Sequence, residues 1–116
     1  CSGHDARAAV GAVRYPPFGK RGVGLARAQG YGSSFETYRS WQESEAIVVV
    51  QVEHIDAVNN LEEILTTDGV DAYIVGPYDL SGSMGIPGEF EDPKFIEAMN
   101  RIRATAERLK FRVGFI

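Results

Sequence analysis

The chain has 116 residues, 44% of them hydrophobic, and a formal net charge of −4, as expected of one small soluble domain covering 1–116. Its pI near 5.1 leaves no basic surface for nucleic acid or an anionic membrane, and no apolar stretch approaches the roughly 20 residues of a bilayer span. The one cysteine, Cys1, excludes an internal disulfide framework, so a reducing, cytoplasmic setting is expected. The chain opens Cys1-Ser2-Gly3-His4 without an initiating Met or a signal-peptide pattern, and it ends inside the apolar run Val113-Gly114-Phe115-Ile116. These ends read as those of a piece of something longer.

From Asp5 to Val13 the spacing predicts a helix with Ala6, Ala9, Val10 and Val13 on one face. Tyr15-Pro16-Pro17-Phe18-Gly19 ends it, since proline removes backbone donors and restricts the residue before it. A glycine-rich loop runs to Gly32, and Ser33 or Ser34 is placed to cap a helix through Ser44 carrying Phe35, Tyr38 and Trp41. Ala46 to Val52 has no polar alternation until Gln51, the pattern of a parallel strand covered on both faces. Val58, Leu61, Ile64 and Leu65 mark a helix over about 56–66, with Gly69 just past its end. A second strand spans about Ala72 to Val75 and leads into a loop from Gly76 to Gly88. Asp92 followed by Pro93 predicts a helix start, with Ile96, Met99, Ile102, Ala106 and Leu109 buried, and Arg112 to Ile116 reads as a third strand.

The order helix, loop, helix, then βαβαβ implies a parallel sheet with helices outside. Two carboxylates follow successive strands: Glu53 ends Ala46-Ile47-Val48-Val49-Val50-Gln51-Val52-Glu53, and Asp79 lies in Gly76-Pro77-Tyr78-Asp79-Leu80-Ser81. Parallel strands joined through a helix end on the same face, where α/β folds bind ligands. Two hard oxygen donors without Cys or His beside them suit a magnesium-type ion completed by water and substrate oxygens. Three strands cannot close an eight-stranded barrel, which takes about 250 residues.

Four motifs occur in order: Arg14-Tyr15-Pro16-Pro17-Phe18-Gly19-Lys20-Arg21-Gly22-Val23-Gly24, Val50-Gln51-Val52-Glu53, Asp68-Gly69-Val70-Asp71-Ala72 and Gly76-Pro77-Tyr78-Asp79-Leu80-Ser81. Together they resemble the HpcH/HpaI aldolase family of the phosphoenolpyruvate/pyruvate barrel superfamily, over essentially the whole chain. The resemblance implies an α/β fold of the (β/α)8 TIM-barrel type, of which this chain covers the middle-to-late portion as three parallel strands with outer helices. It implies that Glu53 and Asp79 ligate a divalent metal (Mg²⁺, or Mn²⁺ or Co²⁺), that Gln51 lies beside a bound 2-oxo acid, and that the backbone amides of the turn holding Gly76 and Tyr78 receive its carboxylate. The implied reaction cleaves a 4-hydroxy-2-oxo acid to pyruvate and an aldehyde, with the metal stabilising the enolate. The complete protein would be a homo-oligomer. The family's histidine base and the arginine that clamps the substrate come from earlier strands that this chain lacks; His4 and His54 do not match that histidine's context. Lys20, Lys94 and Lys110 are the only lysines, and none is placed for a Schiff base.

Plainer roles compete at each position. Glu53 and Asp79 could cap the helices that follow them, and Gln51 could bond a neighbouring backbone group. Lys20, Arg21 and Arg27 could hold an anion but fit a solvated loop without a phosphate-loop pattern, and His54, beside Glu53, could act as a base but fits an exposed loop position. Ser81 and Ser83 fit turns and caps, there being no His–Asp set to activate a nucleophile. Phe35, Tyr38 and Trp41 fit packing. Two rival functions stand beside the aldolase: a lyase acting on a CoA thioester, in the manner of the citrate lyase β-subunit or malyl-CoA lyase, and a non-catalytic fragment that keeps the metal turn. An open-edged sheet is also expected to expose apolar surface and to associate.

Overall fold

A computed structural model describes residues 1–111 and 113–115. Six α-helices, α1 (Gly3–Val13), α2 (Phe35–Glu45), α3 (Ile55–Asn59), α4 (Leu61–Leu65), α5 (Pro77–Ser83) and α6 (Pro93–Leu109), accompany strands β1 (Val49–Val52), β2 (Ala72–Val75) and β3 (Val113–Phe115). The sheet order is β1-β2-β3 and both pairings are parallel, with Val49 opposite Ala72 and Val52 opposite Val75. The expected parallel βαβαβ arrangement is therefore present. Arg112 and Ile116, the ends of the expected third strand, lie outside the described residues.

One face of the sheet is covered. Val52, Tyr73 and Val75 are buried together with Val58, Leu61, Ile64 and Leu65 from α3 and α4, Leu80 from α5, and Phe95, Ile102 and Ala106 from α6. The other face carries Val49, 49% exposed, and the exposed Gln51. Within these 116 residues the strand expected to be covered on both faces is covered by helices on one and open on the other. β1 is also shorter than expected. Ala46 still belongs to the end of α2, its N–H returning to the Gln42 carbonyl at 3.2 Å, and Ile47 is 71% exposed. The chain joins β2 only from Val48, whose N–H donates to the Asp71 carboxylate at 2.7 Å.

The helix expected over 56–66 is two short helices meeting at Asn60, whose backbone (φ −105°, ψ 15°) leaves the helical region. Gly69 lies past the second of them with φ +87°, a conformation that costs glycine least. The segment 76–88, expected as a loop, contains α5, opened by Pro77 at its first position. Seven residues containing Gly82, with only Leu80 and Ser81 buried, show too little apolar periodicity to be read as helical. On α6, Asp92 caps the Lys94 amide at 2.7 Å as expected. The buried face, however, is Phe95, Ala98, Ile102 and Ala106, while Ile96 is 47% exposed. α1 starts two residues earlier than expected, because Ser2 and Asp5 form a reciprocal capping box; on its predicted face Ala6 is buried and Ala9 exposed.

Residues 14–45 build an extension in which Tyr15 packs edge-on against Phe35 and Tyr38, at ring-centroid distances of 5.6 and 6.5 Å. Arg21, expected in solvent, lies over the Tyr15 ring at 4.8 Å. The Arg14 guanidinium donates to the carbonyls of Gln42, Glu43 and Ala46 at 3.2, 2.8 and 3.0 Å, closing the C-terminal end of α2. Phe35 and Tyr38 pack as expected; Trp41 is 55% exposed.

Helices α4 and α6 are clamped by a fork in which Arg108 donates to both carboxylate oxygens of Glu62, at 3.0 and 2.8 Å. The guanidinium holds the Glu62 carboxyl below its usual value of 4.5. A carboxyl with a depressed folded-state pKa contributes stability that is present above its unfolded value and is lost as pH falls through the folded value. Arg108→Met is therefore expected to lower stability modestly near neutrality in low salt, to converge with the unaltered chain as pH falls below about 4.5, and to differ little at any pH once salt screens this exposed pair. Urea unfolding at pH 3 to 7, in low and high salt, measures this.

Candidate metal and 2-oxo acid site

β1 and β2 end side by side, and the Gly76 N–H extends their ladder by donating to the Val52 carbonyl at 3.1 Å. Glu53 is the residue after Val52, and Asp79 stands in the first turn of the helix that Gly76 opens. An ideal Cβ placed on Gly76 would lie 2.8 Å from Gln51 Nε2, 3.1 Å from Glu53 Cβ and 3.3 Å from Glu53 Oε2. The Gln51 and Glu53 side chains thus close over the bare backbone of Gly76. Three of the five residues singled out by the sequence meet at that point, and Asp79 and Tyr78 stand one turn away at the same end of the sheet.

The plainer role for the two carboxylates as caps has no support in the hydrogen bonding. The helix after Glu53 is capped by His54, whose Nδ1 accepts the Asp56 N–H at 3.1 Å; the loop histidine is a cap and only half-exposed. The helix after Gly76 has no side-chain cap. Among the described residues neither Glu53 nor Asp79 accepts a side-chain hydrogen bond or pairs with a cation, and both are exposed. Two unpaired anionic groups at one mouth suit a hard divalent ion. No group of three or more His, Cys, Asp or Glu side chains placed for a metal occurs among the described residues, so these two carboxylates would leave most of the ion's coordination to water and substrate.

Within that turn the amides are not equivalent. The Gly76 N–H is already committed to Val52, so it is no free donor to a substrate carboxylate. What Gly76 contributes is space, since a side chain there would strike Gln51 and Glu53. The first helical amide engaged inside the turn is that of Leu80, which donates to the Gly76 carbonyl at 2.9 Å. Pro77 has no N–H, leaving the amides of Tyr78 and Asp79 as the first-turn donors. The Tyr78 ring is 71% exposed and packs edge-on against Phe90 at 5.0 Å.

Two serines hold this turn. Ser81, fully buried, donates to the Tyr78 carbonyl at 2.9 Å and accepts the Gly88 N–H at 2.9 Å. Ser83 reaches across to the other loop, accepting the Ile55 N–H at 3.0 Å. Both were expected in turns and caps, but nothing in local sequence foretold that Ser83 bonds 28 residues away. A cavity of about 520 Å³ beside Arg14, Glu43, Asp68 and Gly69 lies at the opposite end of the strands, and its one guanidinium is consumed by the α2 carbonyls.

Residues 2–113 match the HpcH/HpaI aldolase/citrate lyase family, and the chain belongs to that family. It is 43% identical over 113 residues to a 2-keto-3-deoxy-L-rhamnonate aldolase of Escherichia coli O6:K15:H31, a match covering 92% of this chain and 42% of that one. The crystal structure of an HpcH/HpaI aldolase/citrate lyase family protein from Burkholderia cenocepacia J2315 superposes with a TM-score of 0.88 at 36% identity, covering 98% of this chain and 46% of that chain. The HpcH/HpaI aldolase of Desulfitobacterium hafniense DCB-2 does so with 0.78 at 34%, covering 98% and 44%. The sheet and its helices are thus part of a TIM-barrel-type fold, and the chain spans 42% of the length of that curated relative. No helix among the described residues is long and apolar enough to cross a membrane.

Proposed function

We propose that this chain supplies the metal-holding part of an aldolase site that cleaves 4-hydroxy-2-oxo acids to pyruvate and an aldehyde. The observation that carries this reading is the meeting of Gln51, Glu53 and Gly76 at the ends of two parallel strands, with Glu53 and Asp79 unused as caps. A 2-keto-3-deoxy sugar acid, the compound class in the relative's name, is itself a 4-hydroxy-2-oxo acid, which supports the substrate class.

Glu53 and Asp79 would hold a divalent ion, Mg²⁺ or one of its substitutes Mn²⁺ and Co²⁺. That ion, when bound, would serve as a Lewis acid toward the negative charge that develops on the keto oxygen as the carbon–carbon bond breaks. Gln51, on the open face of β1, offers its amide to the 2-oxo acid. The Tyr78 and Asp79 amides present N–H dipoles to an anionic end of the ligand. Gly76 keeps the approach clear, and the Tyr78 ring, braced on Phe90, stands at the rim. Proton transfer requires groups from strands other than these three, so the 116 residues alone are expected to bind without turning over. The partner is a small 2-oxo acid, and the complete protein is expected to be a homo-oligomer working in the cytoplasm.

The test is a titration of Mn²⁺ followed by water-proton relaxation, in the unaltered chain and in Glu53→Ala, each with and without pyruvate. The expected result is weak binding strengthened by pyruvate in the unaltered chain and lost in the variant. Thermal unfolding should barely change, because the Glu53 side chain is exposed and makes no hydrogen bond to the rest of the described chain. Four identical curves would defeat the assignment. In a complete barrel, release of a CoA ester in place of pyruvate and an aldehyde would move the reading to the thioester lyases.

A further inference from the structure

Ser83 closes a ring of chain and hydrogen bonds that includes residues 53 and 79. Its hydroxyl donates to the Leu80 carbonyl at 2.7 Å and accepts the Ile55 N–H at 3.0 Å. Ile55 opens α3, and its amide is one of the donors a helix cannot satisfy within itself. The next three amides are provided for locally: His54 Nδ1 takes that of Asp56 at 3.1 Å, and the His54 carbonyl takes those of Ala57 and Val58 at 2.9 and 3.2 Å. Only the Ile55 amide reaches across to α5. A second tie joins the same two segments, the Gly76 N–H to the Val52 carbonyl at 3.1 Å. The segments 52–55 and 76–83 are therefore fastened to each other at both ends. Glu53 stands within the first arc and Asp79 within the second.

We propose that Ser83 is a positioning residue that holds Glu53 and Asp79 at a fixed separation for a shared divalent cation. This rests on reading those two carboxylates as the ligands. With one tie the segment after Val52 could swing on its junction with the strand, whereas with two the backbone beside Glu53 is pinned to the helix that carries Asp79. A site with only two protein ligands depends on such preorganisation, since every fluctuation in their separation must be frozen out when the ion binds. The bond is partly buried, which limits competition from water. Leu80, whose carbonyl orients the hydroxyl, is fully buried, so the donor side of the relay is fixed by the core. Ser81 cannot substitute, because its oxygen is engaged with Tyr78 and Gly88 on the other side of the turn.

The test compares Ser83→Ala, Ser83→Cys and Ser83→Thr with Asp92→Ala, which removes the cap of α6 on a separate helix, and with Glu53→Ala as the ligand control. Two quantities are read: the Mn²⁺ dissociation constant with pyruvate present, and the amide hydrogen exchange of Ile55 in the metal-free chain. Ser83→Ala is expected to raise the dissociation constant on the order of tenfold and to speed Ile55 exchange. Ser83→Thr, which keeps the hydroxyl, should preserve both. Asp92→Ala should change neither, whatever it does to the melting temperature. Should Ser83→Ala fail to fold, Ser83→Cys carries the same expectation, because a thiol is a weak acceptor of nearly the same size. A dissociation constant that moves no further than in Asp92→Ala, while Glu53→Ala abolishes binding, rejects the tie and leaves the ligand reading standing. Unchanged binding in Glu53→Ala overturns both, with the failure located at the ligands.

Discussion

Leu80→Ala is expected to destabilise the chain by about 2–5 kcal/mol, the range for emptying a leucine site in a packed core. Leu80 is fully buried and belongs to the single cluster formed by the covered face of the sheet and helices α3 to α6. It is also the main anchor of α5, whose seven residues have little intrinsic tendency to be helical. Domain stabilities are about 5–15 kcal/mol, and a three-stranded sheet with one open face belongs near the lower end, so the variant should be largely unfolded at moderate urea. The measurement is a urea midpoint with the slope checked for constancy. Ile96→Ala, at a residue that is 47% exposed, serves as the comparison and should stay within about 0.5 kcal/mol. If both variants shifted the midpoint equally, α5 would not be docked as described.

Gly76→Ala is expected to have the opposite profile, little effect on folding and a large one on ligand binding. At φ −96° and ψ 90° the backbone is open to any residue, and an alanine N–H could still bond Val52. The added methyl would stand 2.8 Å from Gln51 Nε2 and 3.1 Å from Glu53 Cβ. The glutamine amide can rotate away, but the β-carbon of Glu53 is tied to the backbone, so the carboxylate moves with it. Stability should change by less than about 1 kcal/mol, helped by the lower entropy of the unfolded alanine chain. Mn²⁺ affinity should fall on the order of tenfold or more, as when the support of a metal ligand is removed. Retained affinity would mean that Gly76 is not the floor of the site.

Sequence pattern alone specified the alternation of helix and strand, the parallel sense of the sheet, and the capped start of α6. Each depends on neighbours in the chain: period-two or period-3.6 burial, Asp before Pro, and a helix long enough to reverse direction between strands. It placed Glu53 and Asp79 after successive strands for the same reason. Pattern did not reveal that helices within these residues cover only one side of β1, because Val49 and Val50 are equally apolar and burial depends on what lies opposite. It did not reveal that Phe95, and not Ile96, points into the core, since the phase of α6 is set by its docking on β2 and on α3 and α4.

The site divides along the same line. Residue type and position after a strand indicated the carboxylates, Gln51 and the Gly76–Tyr78 turn. Only the folded chain showed that the Gly76 amide is spent in the ladder, that His54 and not Glu53 caps α3, and that Ser83 ties two loops 28 residues apart. A hydrogen bond between distant segments leaves no periodicity in the sequence. It exists because parallel pairing of β1 and β2 brings their C-terminal ends together, and that tertiary fact decides which of the chain's many serines and carboxylates meet.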